Sequence, residues 1–269
     1  MDVYLIKFGG NAIRGKDDML RLSKEISEVV GRNRGVVVVH GGGPEISAEM
    51  ERRGLAPRKV AGVRVTDPAV LEVAEEVLRR INKDMVAALS ECGVKAVGIP
   101  GYHCTLCRRK APYKAVENGK ETTVDLGLVG EVADVNAEVL KDLLAARIVP
   151  VVYPIGEDED GVRLNVNADA MASGIAAGVG CREMLAVTDV PGVLMDVGDP
   201  SSKRDVLTLD EVDGLIAAGV ISGGMIPKVE ACRDALNAGV GAVRMVDGKG
   251  RNIITDALKG MPQGTVIVR

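Results

Sequence analysis

Aromatic residues are nearly missing from this chain. Of 269 residues, 2% are aromatic, with no Trp, one Phe and four Tyr. Val, Ile, Leu, Ala and Met must therefore fill any core. No run reaches the ~18 consecutive apolar residues of a membrane span. The start also lacks the basic-then-apolar order of a secretory signal, because Met1-Asp2-Val3-Tyr4 passes straight into an apolar run. No excess of positive charge is present. The formal net charge is −4, from 34 basic and 38 acidic residues, which argues against a general nucleic-acid binder. A disulfide framework is missing as well. Cys92, Cys104, Cys107, Cys181 and Cys232 are odd in number and scattered, a pattern expected of a reducing cytoplasm. His103-Cys104-Thr105-Leu106-Cys107 holds one Cys-x-x-Cys, but no second pair follows at the distance a zinc site usually needs. Two loop cysteines, or a local metal or redox site, are the readings it leaves. No repeat, low-complexity tract or linker stands out.

What the chain does have is 46% hydrophobic residues, in apolar β-branched runs that alternate with helical patterns. Helices are expected at roughly 16–31, 44–53, 67–92, 136–146, 168–179, 209–218 and 227–238. Strands are expected at roughly 2–8, 34–40, 95–100, 147–153, 183–188, 242–246 and 264–268. This alternation predicts an α/β fold, a three-layer α/β/α sandwich around a mainly parallel open sheet. Two stretches are less regular. Residues 54–66 look like a flexible basic hairpin, and residues 101–131 mix Gly, Cys, Lys and Arg before alternating through Asp125-Leu126-Gly127-Leu128-Val129. The glycine pair in Gly178-Val179-Gly180 suggests a lobe boundary near residue 180.

Two strands end in glycine turns that lead into helices: Lys7-Phe8-Gly9-Gly10-Asn11 and His40-Gly41-Gly42-Gly43-Pro44-Glu45. Such turns expose backbone N–H groups at a helix N-terminus, where they bind anions. Neither is a Walker A loop, because no Gly-Lys-Ser/Thr follows. Three consecutive glycines exceed what a turn requires and favour close approach of a ligand. Lys228 opens a helix, where its charge opposes the helix dipole unless an anion is present.

These strings resemble the amino acid kinase family, and within it the N-acetylglutamate kinases. Gly62-Val63-Arg64-Val65-Thr66-Asp67, Asn165-Val166-Asn167-Ala168-Asp169, Thr188-Asp189-Val190-Pro191-Gly192-Val193 and Ser222-Gly223-Gly224-Met225-Ile226-Pro227-Lys228 also match, in the family's order, between residue 2 and about residue 268. The resemblance implies a carbamate kinase-like fold. Residues 1–180 would bind the acyl amino acid and dimerise, and residues 181–269 would bind ATP. It makes residues 54–66 a lid over the acyl substrate and 101–131 part of a β-rich edge.

The implied reaction moves the γ-phosphoryl group of ATP onto the side-chain carboxylate of N-acetyl-L-glutamate, a step of arginine biosynthesis. A carboxylate is ionised at neutral pH, with a pKa of about 4.3, so no general base is needed. The work is to bring two anions together and to stabilise charge on the transferred phosphoryl oxygens. By resemblance, Lys7 sits on the transferring phosphoryl, and Lys228 bridges the β–γ region. Asp169 lies between the two lysines and orients both, and Gly10 and Gly43 donate N–H groups from opposite sides. Taken alone, Lys7 reads better as a strand-end cap in solvent, and Asp169 could simply favour a helix N-terminus. Arg64 would pair with the substrate α-carboxylate; its bland alternative is a solvated lid charge. Asn165 and Asn167 would hold the acylated amino group and the reacting end, with Gly42 and Gly43 beside them. Gly9, Thr188, Asp189, Val190, Gly192, Val193, Gly223, Gly224 and Met225 would line the nucleotide site, although Asp before Pro-Gly is also good turn chemistry. His40 is read as structural. Mg2+ would accompany ATP on phosphates and water, with no protein-only metal site.

Two other readings compete. One is a kinase for aminoadipate or glutamate attached to an acidic amino-group carrier protein, to which Arg108-Arg109-Lys110 and the ending Ala257-Leu258-Lys259-Gly260-Met261 are similar. That group usually departs from the Gly-Gly-Gly-Pro-Glu and Gly-x-Arg-Val-Thr forms kept here. The other is a nucleotide-sensing regulator without turnover, against which Lys7, Asp169 and Lys228 together argue. In the family, arginine-inhibited members carry an extra helix before the first strand that links dimers into a hexamer. Strand one here starts at about residue 2, so a homodimer with little arginine inhibition is expected. Its interface is expected on the 67–92 helix, through the apolar stripe of Val70, Leu71, Val73, Ala74, Val77 and Leu78.

Overall fold

The computed structural model describes residues 1–10, 12, 13, 15–60, 62–117 and 120–269. Asn11 of the first glycine motif, Ala61 of the lid, and Asn118 and Gly119 of the irregular stretch lie outside the described residues. The chain opens with β1 (Val3–Phe8), α1 (Lys16–Gly31), β2 (Gly35–His40), α2 (Gly43–Arg52) and a short hairpin of β3 (Lys59–Val60) and β4 (Val63–Arg64). It continues with α3 (Pro68–Glu91), β5 (Ala96–Pro100), β6 (Thr105–Arg109), β7 (Tyr113–Glu117), β8 (Lys120–Val124), β9 (Val129–Val135) and α4 (Ala137–Ala145). Then come β10 (Val149–Tyr153), β11 (Ile155–Glu157), β12 (Arg163–Val166), α5 (Ala168–Gly178) and β13 (Glu183–Thr188). The last elements are β14 (Val206–Thr208), α6 (Leu209–Ala217), α7 (Ile226–Asn237), β15 (Val243–Asp247), α8 (Ile253–Ala257) and β16 (Thr265–Val268).

Eight strands form the central sheet in the order β14-β16-β15-β13-β1-β2-β10-β5. Only the β15–β16 pairing is antiparallel. The six residues of β2 are all buried, as a strand covered on both faces requires. Side chains alternate between two cores. Leu5, Val37, Val39, Val152, Met184 and Met245 face α4, α5 and α7. Tyr4, Ile6, Val36, Val38, Val151 and Leu185 face α1 and α8. In α1 the apolar residues Leu22, Ile26 and Val29 recur at helical spacing and form its buried face. The expected three-layer α/β/α arrangement is therefore present.

Two features of the fold frame the region beyond the ends of β1 and β2. A second sheet, in the order β11-β12-β9-β6, branches from the central one after β10. It accounts for the irregular 101–131 region together with the β7–β8 hairpin. The other feature is α3, which starts where the Asp67 carboxylate accepts from the Val70 N–H at 2.8 Å, with Pro68 in its first turn. Its apolar stripe does not supply the free face expected of an interface. Val70, Leu71, Val73, Ala74, Val77 and Leu78 are buried against Ile46, Met50, Tyr153 and Ile155 of the same chain. Outward, α3 shows Glu72, Glu76, Arg79, Arg80 and Lys83. The stripe serves packing, because α2 and the second sheet lie over it. Among the described residues no helix is long and apolar enough to cross a membrane.

The hairpin that carries Arg64 is anchored to this second region through Thr66. The Thr66 N–H donates to the Leu126 carbonyl at 2.9 Å, and the Leu128 N–H donates to the Thr66 carbonyl at 2.6 Å. Between them Gly127 has φ of 75°, and a Cβ there would stand 2.2 Å from the Thr66 carbonyl oxygen. Both the conformation and the backbone contact demand glycine. Gly127→Ala should lower unfolding free energy by roughly 2 kcal/mol or more in urea titration. Gly161→Ala, at a similar φ with nothing near the added atom, should cost only about 1 kcal/mol. Equal losses at the two positions would show that the Thr66 contact adds nothing.

Candidate active site

The carboxyl ends of β1, β2 and β13 lie side by side, and the turns that leave them surround one region. This is where open α/β sheets bind ligands. Lys7, near the end of β1, is 7% exposed. Its ammonium meets the Asp169 carboxylate at 2.7 Å. Asp169 stands in the first turn of α5, where a carboxylate also suits the helix dipole. That helix is capped by Asn167, whose Oδ1 accepts from the N–H groups of Asp169 (2.7 Å) and Ala170 (3.3 Å). Lys228, near the start of α7, meets Asp189 at 2.6 Å. The two lysines thus have separate carboxylates among the described residues, Asp169 for Lys7 and Asp189 for Lys228. The expected sharing of Asp169 is not seen, because Asp189 at the end of β13 reaches Lys228 first.

The two glycine turns touch one another. A Cβ on Gly10 would lie 2.6 Å from Cδ of Pro44. The glycines at 41–43 differ in purpose. Gly42 leaves no room beneath α3, since a Cβ would be 2.7 Å from Cδ1 of Ile81. Gly43 has open space where a side chain would stand. Packing explains Gly42, whereas Gly43 keeps its surface clear toward a cavity.

Two cavities meet here. The first, about 380 Å³, is lined by Gly42, Gly43, Lys59, Arg64, Asn165 and Asn167. The second, about 190 Å³, is lined by Gly9, Thr188, Asp189 and Lys228, with Ala186, Cys232 and Met245 as an apolar wall. Lys7, Gly10 and Asp169 belong to both. The remaining expected nucleotide residues line neither. The Val190 N–H donates to Oγ1 of Thr188, which shapes the turn. Val193 is buried, and its N–H donates to Oγ1 of Thr265 at 2.9 Å. Gly192, at φ 131°, leaves space for that same hydroxyl. Gly223, Gly224 and Met225 make a single turn ahead of α7. These residues flank Asp189 and Lys228 in the chain and shape the turns that carry them.

Arg64 is the least ordinary member. It is 7% exposed and has no carboxylate partner among the described residues. Its guanidinium donates to the Gly43 carbonyl (2.9 Å) and to Oγ of Ser47 (2.8 Å), and faces Sδ of Met50. Desolvation lowers its pKa from the ordinary guanidinium value, yet such a group stays charged at neutral pH. A solvated lid charge is thereby excluded. Ser47 and Lys59 had no role in the sequence reading; Ser47 lies four residues past the glycine run, at helical spacing from Gly43, which was the available signal.

His40 is 1% exposed. Asn82 donates to its Nε2 at 3.1 Å and to the Val151 carbonyl at 2.9 Å. Its Nδ1 donates to the Gly41 carbonyl at 2.9 Å. This set fits the neutral ring and a structural role. Cys104 and Cys107 are likewise buried in the main core. Burial pushes the Cys104 thiol up to about 12 and raises that of Cys107, as side chains packed in a core require. The His40 imidazole is shifted the other way, down to about 4, because burial disfavours its charged form. The unfolded chain then binds the proton more readily, so stability rises with pH across this range. The contribution is complete above about pH 6.5 and is lost as pH falls toward 4, amounting to roughly 3 kcal/mol. His40→Gln should flatten the stability–pH curve between those limits; an unchanged slope would place the titration elsewhere.

Comparison with known proteins agrees with this geometry. Residues 2–247 match the amino acid kinase family. An acetylglutamate kinase of Methanococcus maripaludis is 40% identical over 270 residues, covering 98% of this chain and 91% of that protein. One from Methanobrevibacter smithii is 41% identical over 251 residues, covering 91% and 85%. A carbamate kinase from Giardia lamblia, solved bound to AMP-PNP, superposes with a TM-score of 0.73 at 20% identity, covering 100% of this chain and 98% of that one. With a family match over most of its length and relatives this similar across nearly all of it, the chain belongs to the amino acid kinase family.

Proposed function

We propose that this chain transfers the γ-phosphoryl group of ATP to the side-chain carboxylate of N-acetyl-L-glutamate, in arginine biosynthesis. The observation that carries this reading is Arg64, a buried cation with no carboxylate partner among the described residues, on a cavity that opens onto Lys7. A substrate carboxylate completes its charge. The relatives named acetylglutamate kinase, at about 40% identity, support the same acceptor.

The first cavity, built from residues 1–180, takes the acyl amino acid. The second takes ATP, with its nucleotide side on residues 181–269. A carboxylate oxygen attacks the γ-phosphorus, the bond to the β–γ bridging oxygen breaks, and ADP leaves. No proton moves. Lys7 stands where the cavities join and stabilises the phosphoryl in flight. Lys228 balances charge on the leaving β-phosphate, and the N–H groups of Gly10 and Gly43 add preorganised donors. Among the described residues no three His, Cys, Asp or Glu side chains cluster, so Mg2+ would rest chiefly on phosphate oxygens and water.

The carrier-protein alternative has weaker support. Arg108 is paired with Glu131 at 2.6 Å, and Arg109 donates to the Gly127 carbonyl, so neither is idle on a basic patch. We read the working unit as a cytoplasmic homodimer. The five free cysteines support the reducing compartment, and two-fold closure is the commonest assembly of small enzymes.

ADP release should require N-acetylglutamate; release with no acceptor dependence would overturn the reading. Lys7→Ala and Lys228→Ala should each lower kcat by ~10²-fold or more. Arg64→Ala should act mainly through KM for the acyl substrate. A near-normal kcat in Lys228→Ala would remove its assigned role. Light scattering should report about twice the 28.2 kDa chain mass, and a monomer would refute the dimer.

A further inference from the structure

Thr66 is fully buried and stands behind two residues of the acceptor cavity. Its Oγ1 donates to the Arg64 carbonyl at 2.9 Å. The same oxygen is the partner of Nδ2 of Asn165, at 3.1 Å. The direction of these bonds is determined. A backbone carbonyl can only accept, so the single Thr66 hydroxyl proton goes to Arg64. What remains on Oγ1 toward Asn165 is a lone pair. Asn165 must therefore give Thr66 its NH2 end, and its Oδ1 is left for the cavity.

Asn167 has the opposite polarity. Its Oδ1 is committed to the N-terminus of α5, which leaves Nδ2 as its uncommitted group. The two side chains line the same cavity, one offering an acceptor and the other a donor. A secondary amide offers the complement, an N–H and a C=O.

We propose that Thr66 is a positioning residue that sets the Asn165 side-chain amide with its oxygen toward the acceptor, and thereby makes the site selective for an acylated amino group. This rests on the reading of N-acetyl-L-glutamate as acceptor. Oδ1 of Asn165 accepts from the amide N–H of the substrate. An ester at that position presents an oxygen to an oxygen and leaves a partly buried acceptor unpaired. The same link runs through the Arg64 carbonyl, so the cation for the α-carboxylate and the acceptor for the amide are held by one hydroxyl.

The test compares N-acetyl-L-glutamate with (S)-2-acetoxyglutarate, in which an ester oxygen replaces the N–H. The wild-type protein should prefer the amide by about 100-fold in kcat/KM, as sites built to bond a particular group reject the analogue that lacks it. Thr66→Val keeps the shape and removes the hydroxyl. It frees the Asn165 amide to turn, so KM for the amide should rise about 10-fold with kcat little changed. The amide-to-ester preference should then fall to about 10-fold or less, with KM for ATP within about 2-fold of wild type. Thr66→Ser should restore the wild-type preference. Loss of packing alone would weaken both acceptors equally and leave their ratio intact, and that result overturns the proposal. If Thr66→Val does not fold, Thr66→Ala is measured in its place. A wild-type ratio near one also overturns it, whatever any variant does. A wild-type protein that forms no ADP with N-acetylglutamate would instead refute the acceptor assignment itself.

Discussion

Lys7 and Asp169 are held 2.7 Å apart, and the rest of the site is arranged around that contact. An ammonium withdrawn from water without a partner costs several kcal/mol. Its carboxylate must therefore arrive with it, which requires the first turn of α5 to sit at the end of β1. The chain reaches that place only by leaving the central sheet after β10, making the β11–β12 excursion, and returning through Asn165 to Asp169. The same return deposits Asn165 and Asn167 in the first cavity. One ion pair between two distant parts of the sequence thus decides where both cavities meet.

The second organising element is the turn that follows β2. Its glycines are not interchangeable. Gly42 is small because Ile81 of α3 lies against it, whereas Gly43 borders the first cavity with open space where a side chain would stand. Arg64 reaches across to the Gly43 carbonyl and Ser47. The β3–β4 hairpin is thereby tied to α2 at one end and, through Thr66, to Leu126 and Leu128 at the other. Beneath them His40 and Asn82 fasten the same turn to α3 and to the Val151 carbonyl. Neutral hydrogen bonds serve there because the position is too deep for a charge.

Much of this was legible in the residues. The long helices and the central strands fall within about two positions of their periodic patterns, because β-branched runs buried on both faces and helices with one apolar face are the strongest signals a chain carries. The glycine motifs placed Lys7, Gly10 and Gly43 at one site. Short elements escaped. α8 and β14, with five and three residues, are too brief to show a period. Contacts between distant segments escaped too. Nothing local says that Lys228 prefers Asp189 to Asp169, or that the guanidinium of Arg64 turns inward rather than to solvent. The α3 stripe shows the converse error. Its width signalled burial correctly, but periodicity does not say whether the covering surface belongs to the same chain.

Between Asn165 and Asp169 lie only three residues, yet this span ends a strand, caps a helix, lines the first cavity and supplies the partner of Lys7. Each successive residue here turns the chain by a set amount, about 100° once α5 begins. One inserted residue between Asn165 and Asp169 would turn Asp169 off its ammonium or set the two asparagines on opposite faces. The length of this segment is therefore frozen. A lineage that acquired a different substrate would have to do so by exchanging side chains in place, without altering the length of the strand-to-helix junction.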